Sequence, residues 1–223
     1  MAMTAGAKGR RARYGEEMRQ DILQAAREII AEEGAGALSI RGIARRIGYS
    51  AHALYQYFDG KEAIAEALFV SGFAQLRAAL EHVEQTFADP VARLGEIARA
   101  YRLFAQTNPQ EYSLMFSRPI PEFRPTGAVL LVTAAPAFAP LQRAVEEAIA
   151  DGAFRPMDAR IAATTAWAIM HGLVSIELAG MSGPNRDLPP GVQAPAFVSG
   201  MYDDALRMLS FAANTGLLET PTP

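Results

Sequence analysis

Apolar residues recur at steps of three and four along almost the whole chain, the period of a helix with one face inward. Ile22, Ala26, Ile29 and Ile30 mark a first helix from about Gly15 to Glu33, stopped by Gly34-Ala35-Gly36. Ile40, Ile43, Ala44 and Ile47 form a short second one behind Ser39, whose hydroxyl suits an N-cap. Gly48 falls where the chain leaves that helix, a place that favours positive φ. Ser50 offers a second N-cap, and Leu54 and Phe58 turn a third short helix inward. Ala51, His52, Ala53, Tyr55 and Gln56 are left outward. Two short helices about a glycine turn have helix-turn-helix geometry, in which the second helix enters a DNA major groove.

The pattern continues in longer pieces. Ile64, Leu68, Phe69, Phe73, Leu76, Leu80, Val83 and Phe87 keep helical phase from Lys61 to Phe87. Asp89-Pro90 opens a fifth helix with Leu94, Ile97, Ala98, Tyr101, Phe104 and Ala105 in phase. Asn108-Pro109-Gln110-Glu111 reads as a restart: Asn as cap, Pro first, Glu111 as capping-box partner. A Pro-rich bend, 118–125, follows. The segment 127–150 is predicted helical at least from Leu141 to Ala150, with Pro136 and Pro140 kinking or splitting its first half. Two more helices, about 158–179 and 195–215, flank a Gly/Pro loop at 180–194. Residues 1–13 show no apolar period and read as a flexible basic tail. No strand pattern or repeat interrupts this, so the expected fold is all-α. The expected organisation is a DNA-binding domain over 14–60 and a helical effector-binding and dimerisation domain over 61–217.

The last two helices are apolar on opposite sides. One carries Ala162, Ala166, Ile169, Leu173 and Ile176 against Trp167, Met170, Val174 and Leu178. The other carries Phe197, Met201, Ala205, Met208 and Ala212 against Val198, Tyr202, Leu206 and Leu209. A helix apolar nearly all round needs cover on both faces. A second copy of the chain, contributing two helices to a four-helix seam, supplies it and pairs two recognition helices for a pseudo-palindromic DNA site.

Charge modifies this picture. The net charge of -3 disfavours nucleic acid, but residues 1–61 hold ten Lys/Arg against seven Asp/Glu. The remainder holds eleven against seventeen, so a basic head joins an acidic body. With no cysteine, disulfides, thiolate metal sites and thiol catalysis are excluded. Three histidines, His52, His82 and His171, form no triad or metal-ligand spacing, so neither an enzyme nor a metal site is expected, and no cofactor. The longest apolar run, Gly127 to Leu141, is short for a bilayer and interrupted by prolines, and no secretory signal is visible. The cytoplasm is the expected location.

The motif residues Ser39, Ile43-Ala44, Gly48-Tyr49-Ser50, Leu54-Tyr55-Gln56-Tyr57-Phe58 and Lys61-Glu62-Ala63-Ile64 resemble the DNA-binding domain of the TetR (tetracycline-repressor) family. Ala100 to Phe116 and Ala166-Trp167-Ala168-Ile169-Met170-His171-Gly172 resemble the effector domain of a TetR subgroup named for a Trp-His-Gly (WHG) motif. Together the resemblance spans about residues 15–215. It implies a ligand-responsive transcriptional regulator, most simply a repressor that leaves its operator on binding an effector. A helical scaffold, or a regulator without small-molecule control, is the alternative.

The resemblance assigns DNA contacts to Ser39, Arg41, Ser50, Ala51, His52, Ala53, Tyr55, Gln56, Tyr57 and Lys61. Ser50 caps its helix, donates to a phosphate, or does both. Tyr57 contacts phosphate or packs between helices, and Arg41 reaches a guanine edge or is simply solvated. Lys61 opposes the macrodipole at a helix N-terminus, so its placement calls for an anionic partner, which a DNA phosphate supplies. Ala51, His52 and Ala53 depart from the family pattern of Lys or Gln, Gly or Pro, then Thr. That shifts base reading toward His52 and Gln56. Effector contacts are expected among Phe69, Phe73, Tyr101, Phe104, Tyr112, Met115, Phe116, Trp167, Met170, His171 and Val174, a lining suited to a mostly hydrophobic molecule. His171 either orients a ligand or is a hydrogen-bonded core histidine.

Overall fold

Helix α1 runs from Met3 to Glu33 in a computed structural model that describes residues 3–117 and 119–181. The segment expected as a tail is thus helical backbone from Met3. Its Ala, Met, Lys and Arg residues are good helix formers, and propensity needs no apolar period. A short 3-10 turn, Ala35–Ala37, leads to α2 (Ile40–Ile47), α3 (Ala51–Leu54), α4 (Lys61–Thr86) and α5 (Pro90–Thr107). Then come α6 (Pro109–Phe116), α7 (Gly127–Ala150) and α8 (Ala159–Ile176), closed by a wide π-type turn, Glu177–Met181. No strand occurs among the described residues. The expected helix over 195–215, with Phe197 and Met201, lies outside them.

Two compact units share these helices. One comprises the chain through Phe73 together with Gln110–Leu130; the other comprises Ala74–Pro109 and the chain from Leu131 onward. The division therefore falls within α4, about three and a half turns beyond Gly60. In the first unit the core is built from the predicted faces: Ile22, Ala26, Ile29 and Ile30 of α1, Ile43 of α2, Leu54 and Phe58, and Ile64, Leu68, Phe69 and Phe73 of α4. α6 packs close to α4 at Gly72, where an added Cβ would come 2.7 Å from the Met115 sulfur. Arg27 of α1 ties this packing together. Its guanidinium pairs with Glu111 at 2.9 Å and donates to Ser71 Oγ at 3.1 Å.

Glu111 is thereby taken from the capping-box role its spacing predicts. The Asn108 backbone N–H closes instead on the Phe104 carbonyl at 2.9 Å, and its side-chain amide donates to the same oxygen and to Thr107. Asn108 ends α5. At the other end of α5, Asp89 caps as expected, accepting from Ala92 N–H at 2.7 Å.

In the second unit, Arg93 of α5 is 6% exposed and forms three bonds. It donates to the Phe87 and Ala88 carbonyls at 2.8 Å each and pairs with Glu147 of α7 at 2.7 Å. α7 is one continuous helix, so of the two outcomes expected from its prolines, a kink or a split, the split does not occur. Pro136 and Pro140 lie four apart on one face, so each omits a single ladder bond on that side. The first omitted acceptor is the carbonyl of Val132, whose residue is 73% exposed and open to water. Burial of Ala137, Pro140, Leu141, Ala144, Val145 and Ala148 offsets the loss. The helix thus continues to Ala150, past the apolar run that ends at Leu141, and α4, α7 and α8 all reach the length and mean hydropathy of a membrane span. α8 ends at Ile176, earlier than its apolar pattern suggests. Arg102 grips Glu177 with two bonds of 2.8 and 2.6 Å, and Gln106 adds a third.

Candidate nucleic-acid interface

A four-residue helix cannot hold itself in water, because nucleation costs more than one turn of hydrogen bonds returns. α3 is held from outside. Ser50 Oγ accepts the Ala53 N–H at 3.2 Å, just as Ser39 Oγ accepts that of Gly42 at 3.1 Å for α2. Gly48 takes φ 74°, the left-handed cap required where α2 ends. Leu54 (1% exposed) and Phe58 (4%) anchor the inner side. Beyond Leu54 the chain continues as turns, with the Tyr57 and Phe58 N–H groups both donating to the Leu54 carbonyl. Arg19 of α1 then clamps this end. Its guanidinium lies 4.2 Å over the Phe58 ring and donates to the Tyr57 carbonyl.

What remains outward is polar and aromatic. Arg41, Ser50, His52, Tyr55 and Gln56 are exposed, and so is Ser39. Ala51, Ala53 and Tyr57 are half-buried. Both capping hydroxyls act as acceptors inside the protein, which leaves their O–H protons able to point at a phosphate. Arg46, on α2, reaches across the surface to an acidic group on α1. It bonds Glu32 and lies 3.6 and 3.8 Å from Glu28 and Glu33, and the bond to Arg46 holds the Glu32 carboxyl below its usual pKa. The anionic partner that Lys61 calls for is present within the chain: Lys61 Nζ lies 3.0 Å from Glu122 Oε1.

Sequence reasoning missed four contributors. Arg19 occupies a polar position of α1 that nothing distinguishes locally. Glu122 comes from the bend between α6 and α7, and no spacing links it to Lys61. Tyr14 and Tyr49 are 54% and 44% exposed, with hydroxyls 3.3 Å apart beside the turn of the motif.

The expected effector residues fall into two groups, one in each unit. In the first, Phe69 and Phe73 meet at a tilt with centroids 4.9 Å apart, Phe73 meets Phe116 edge-on at 5.6 Å, and Phe116 meets Tyr112 at 4.9 Å. Met115 is buried beside Gly72. Phe123, from the bend, joins by an edge contact to Phe69 at 5.6 Å. In the second, Tyr101, Phe104, Met170 and Val174 are buried where α5 packs on α8. There the Tyr101 hydroxyl and His171 Nδ1 are 2.9 Å apart, and the Trp167 and His171 rings stack at 5.4 Å. Burial pushes the His171 pKa down, so the ring is neutral at pH 7, with one nitrogen donating and the other accepting.

Comparison with known proteins agrees with this architecture. Residues 22–68 match the family described as bacterial regulatory proteins, tetR family, and residues 94–194 match the tetracyclin repressor-like C-terminal domain. The chain is 27% identical over 219 residues to the HTH-type transcriptional regulator Rv1816 of Mycobacterium tuberculosis, covering 82% of this chain and 90% of that protein. Among solved structures it resembles the candidate regulatory protein SCO4313, with 30% identity, TM-score 0.71, and coverage of 89% of this chain and 97% of the other. A Rhodococcus sp. RHA1 protein of unknown function is similar at TM-score 0.73 and 26% identity, over 88% of this chain and 95% of the other. A capped helix-turn-helix at the N-terminal end, followed by a helical C-terminal domain, accounts for both family matches, and the chain belongs to the TetR family of transcriptional regulators.

Proposed function

We propose that this regulator binds a palindromic operator as a homodimer and is released from it by a small hydrophobic effector. The carrying observation is the outward row of Arg41, His52, Tyr55 and Gln56 on a motif whose inner face is fully anchored. His52 and Gln56 read base edges, and Arg41 suits guanine O6 and N7. Ser39, Ser50, Tyr55, Tyr57 and Lys61 contact phosphates, while Ala51 and Ala53 allow close approach. The dimer uses α8, on which Ile161 and Ile176 are 56% and 38% exposed while Ala163, Met170 and Val174 are buried. Such a protein works beside DNA in the cytoplasm and needs no cofactor.

Helix α4 serves as the coupling element, since Lys61 lies at its start and Phe69 and Phe73 lie two to three turns on. A ligand that prefers one conformation of those rings shifts the population of DNA-competent dimers. Linkage then makes operator and effector oppose each other by one coupling factor, typically about 1–3 kcal/mol. The aromatic group around Phe69 is one candidate binding surface, and the Tyr101–His171 pair, in the other unit, is a second, each taken by itself. Gel shifts with the DNA upstream of its own gene, repeated against a small-molecule library, test the proposal. A retarded band released by an apolar compound is the expected result. No shift with any duplex favours the scaffold reading, and a shift that no compound releases favours a regulator without small-molecule control.

A further inference from the structure

The bend between α6 and α7 is firmly seated. Ile120 is 3% and Phe123 is 7% exposed, and the Phe123 ring contacts Phe69 at 5.6 Å. Glu122 lies between these two anchors and is itself exposed, with its carboxylate on Lys61. The ammonium at the start of α4 thus already holds an oxyanion of the kind a DNA backbone would bring. We propose that Glu122 is an intramolecular stand-in for an operator phosphate, an affinity-lowering competitor for Lys61 whose position is fixed by the aromatic packing of the bend. This rests on the reading of Lys61 as a phosphate contact.

The physical consequences differ from those of an ordinary surface ion pair. To reach a phosphate, Lys61 either leaves Glu122 or brings the carboxylate's charge along with it. In the first case the pair is lost; in the second, a negative charge faces the polyanion. Either way Glu122 opposes binding, and the neutralised pair releases fewer counterions from the DNA. The contact is also connected to the interior. Glu122 follows Phe123, Phe123 follows Phe69, and Phe69 packs on Phe73, which packs on Phe116. A rearrangement of those rings shifts the carboxylate relative to Lys61, so the competitor's strength depends on the state of the aromatic group. The Glu122 carboxyl is held below its usual pKa by the hydrogen bond to Lys61, so the competitor is charged at neutral pH.

The test measures fluorescence anisotropy of the full-length protein on two duplexes across a salt series. One carries DNA upstream of its own gene; the other is a scrambled duplex of equal composition. Glu122→Gln keeps the shape and removes the charge. It is expected to tighten both duplexes by roughly two- to five-fold per subunit, the range set by an exposed pair, and to steepen the salt slope by about one per subunit. In a Lys61→Ala background the same change should give a smaller gain and no change in slope. Unchanged affinity and slope in folded Glu122→Gln, with the unmodified protein binding normally, overturns the inference and leaves the interface reading intact. So does weaker binding with a lowered melting temperature, which would make the pair merely structural. If the unmodified protein binds neither duplex at any salt, both the inference and the interface reading fall.

Discussion

Replacing Arg19 by Met tests how the recognition helix is held. Met keeps an apolar stem of similar reach against Phe58 but removes the cation over the ring and the donor to the Tyr57 carbonyl. At a half-buried site the cation–π contact contributes about 0.5–2 kcal/mol. The charge-assisted bond adds about 1.5–3 kcal/mol, reduced because the released carbonyl can take water. A net loss of about 2 kcal/mol is expected, or a fall of roughly 4–8 °C in melting temperature for a chain of this size. The loss should be local. The amides of Tyr57 and Phe58, which share the Leu54 carbonyl, should exchange faster in hydrogen-exchange measurements, while those of α1 and α4 keep their protection. DNA binding must then reorder about one residue of backbone, at about 1–2 kcal/mol, so affinity should drop roughly five- to thirty-fold per half-site. The salt slope should not change. A fall of about one in the slope, with Tyr57 and Phe58 still protected, would show that Arg19 binds phosphate itself and would refute its role as a clamp.

Other expectations follow from the same contacts. Lys61→Ala should weaken binding to all duplexes alike, whereas Arg41→Ala should relax preference at one operator position; anisotropy on a panel of single-base variants separates the two. His171→Asn should lower stability by about 1–3 kcal/mol if the Tyr101 bond is structural, and blunt induction with little effect on melting if it orients a ligand. Because burial depresses the His171 pKa below its ordinary 6.5, the unfolded chain takes up that proton first as pH falls; the unmodified protein's stability lead over His171→Asn should therefore be full above pH 6.5 and shrink in melts below it. Arg93→Met should cost about 3 kcal/mol in urea unfolding, chiefly through the stranded Phe87 and Ala88 carbonyls, because Glu147 remains half-exposed. Ile176→Asp should convert a dimer seen by sedimentation into monomers or aggregates, and a well-folded monomer of the unmodified chain would remove α8 from any seam.

The amino-acid sequence by itself determined what depends on near neighbours. Helical phase at steps of three and four located the buried faces of α1, α2, α4 and α5, since a helix brings those positions together whatever else the chain does. The caps at Ser39, Ser50 and Asp89 and the left-handed Gly48 were equally legible, each being satisfied within three residues. The tertiary structure decided the rest. Asn108 and Glu111 carry a capping-box spacing, but Arg27, 84 positions upstream of Glu111, offers that carboxylate a charged partner. Pro136 and Pro140 would break a solitary helix, and buried contacts along α7 keep it whole. α3 is too short to be helical alone and owes its form to Arg19, Leu54 and Phe58. Glu122 has no local mark at all. Polar partners distant in sequence leave no period, because a single charge pair requires only that two side chains meet once, and only the folded chain settles which two those are.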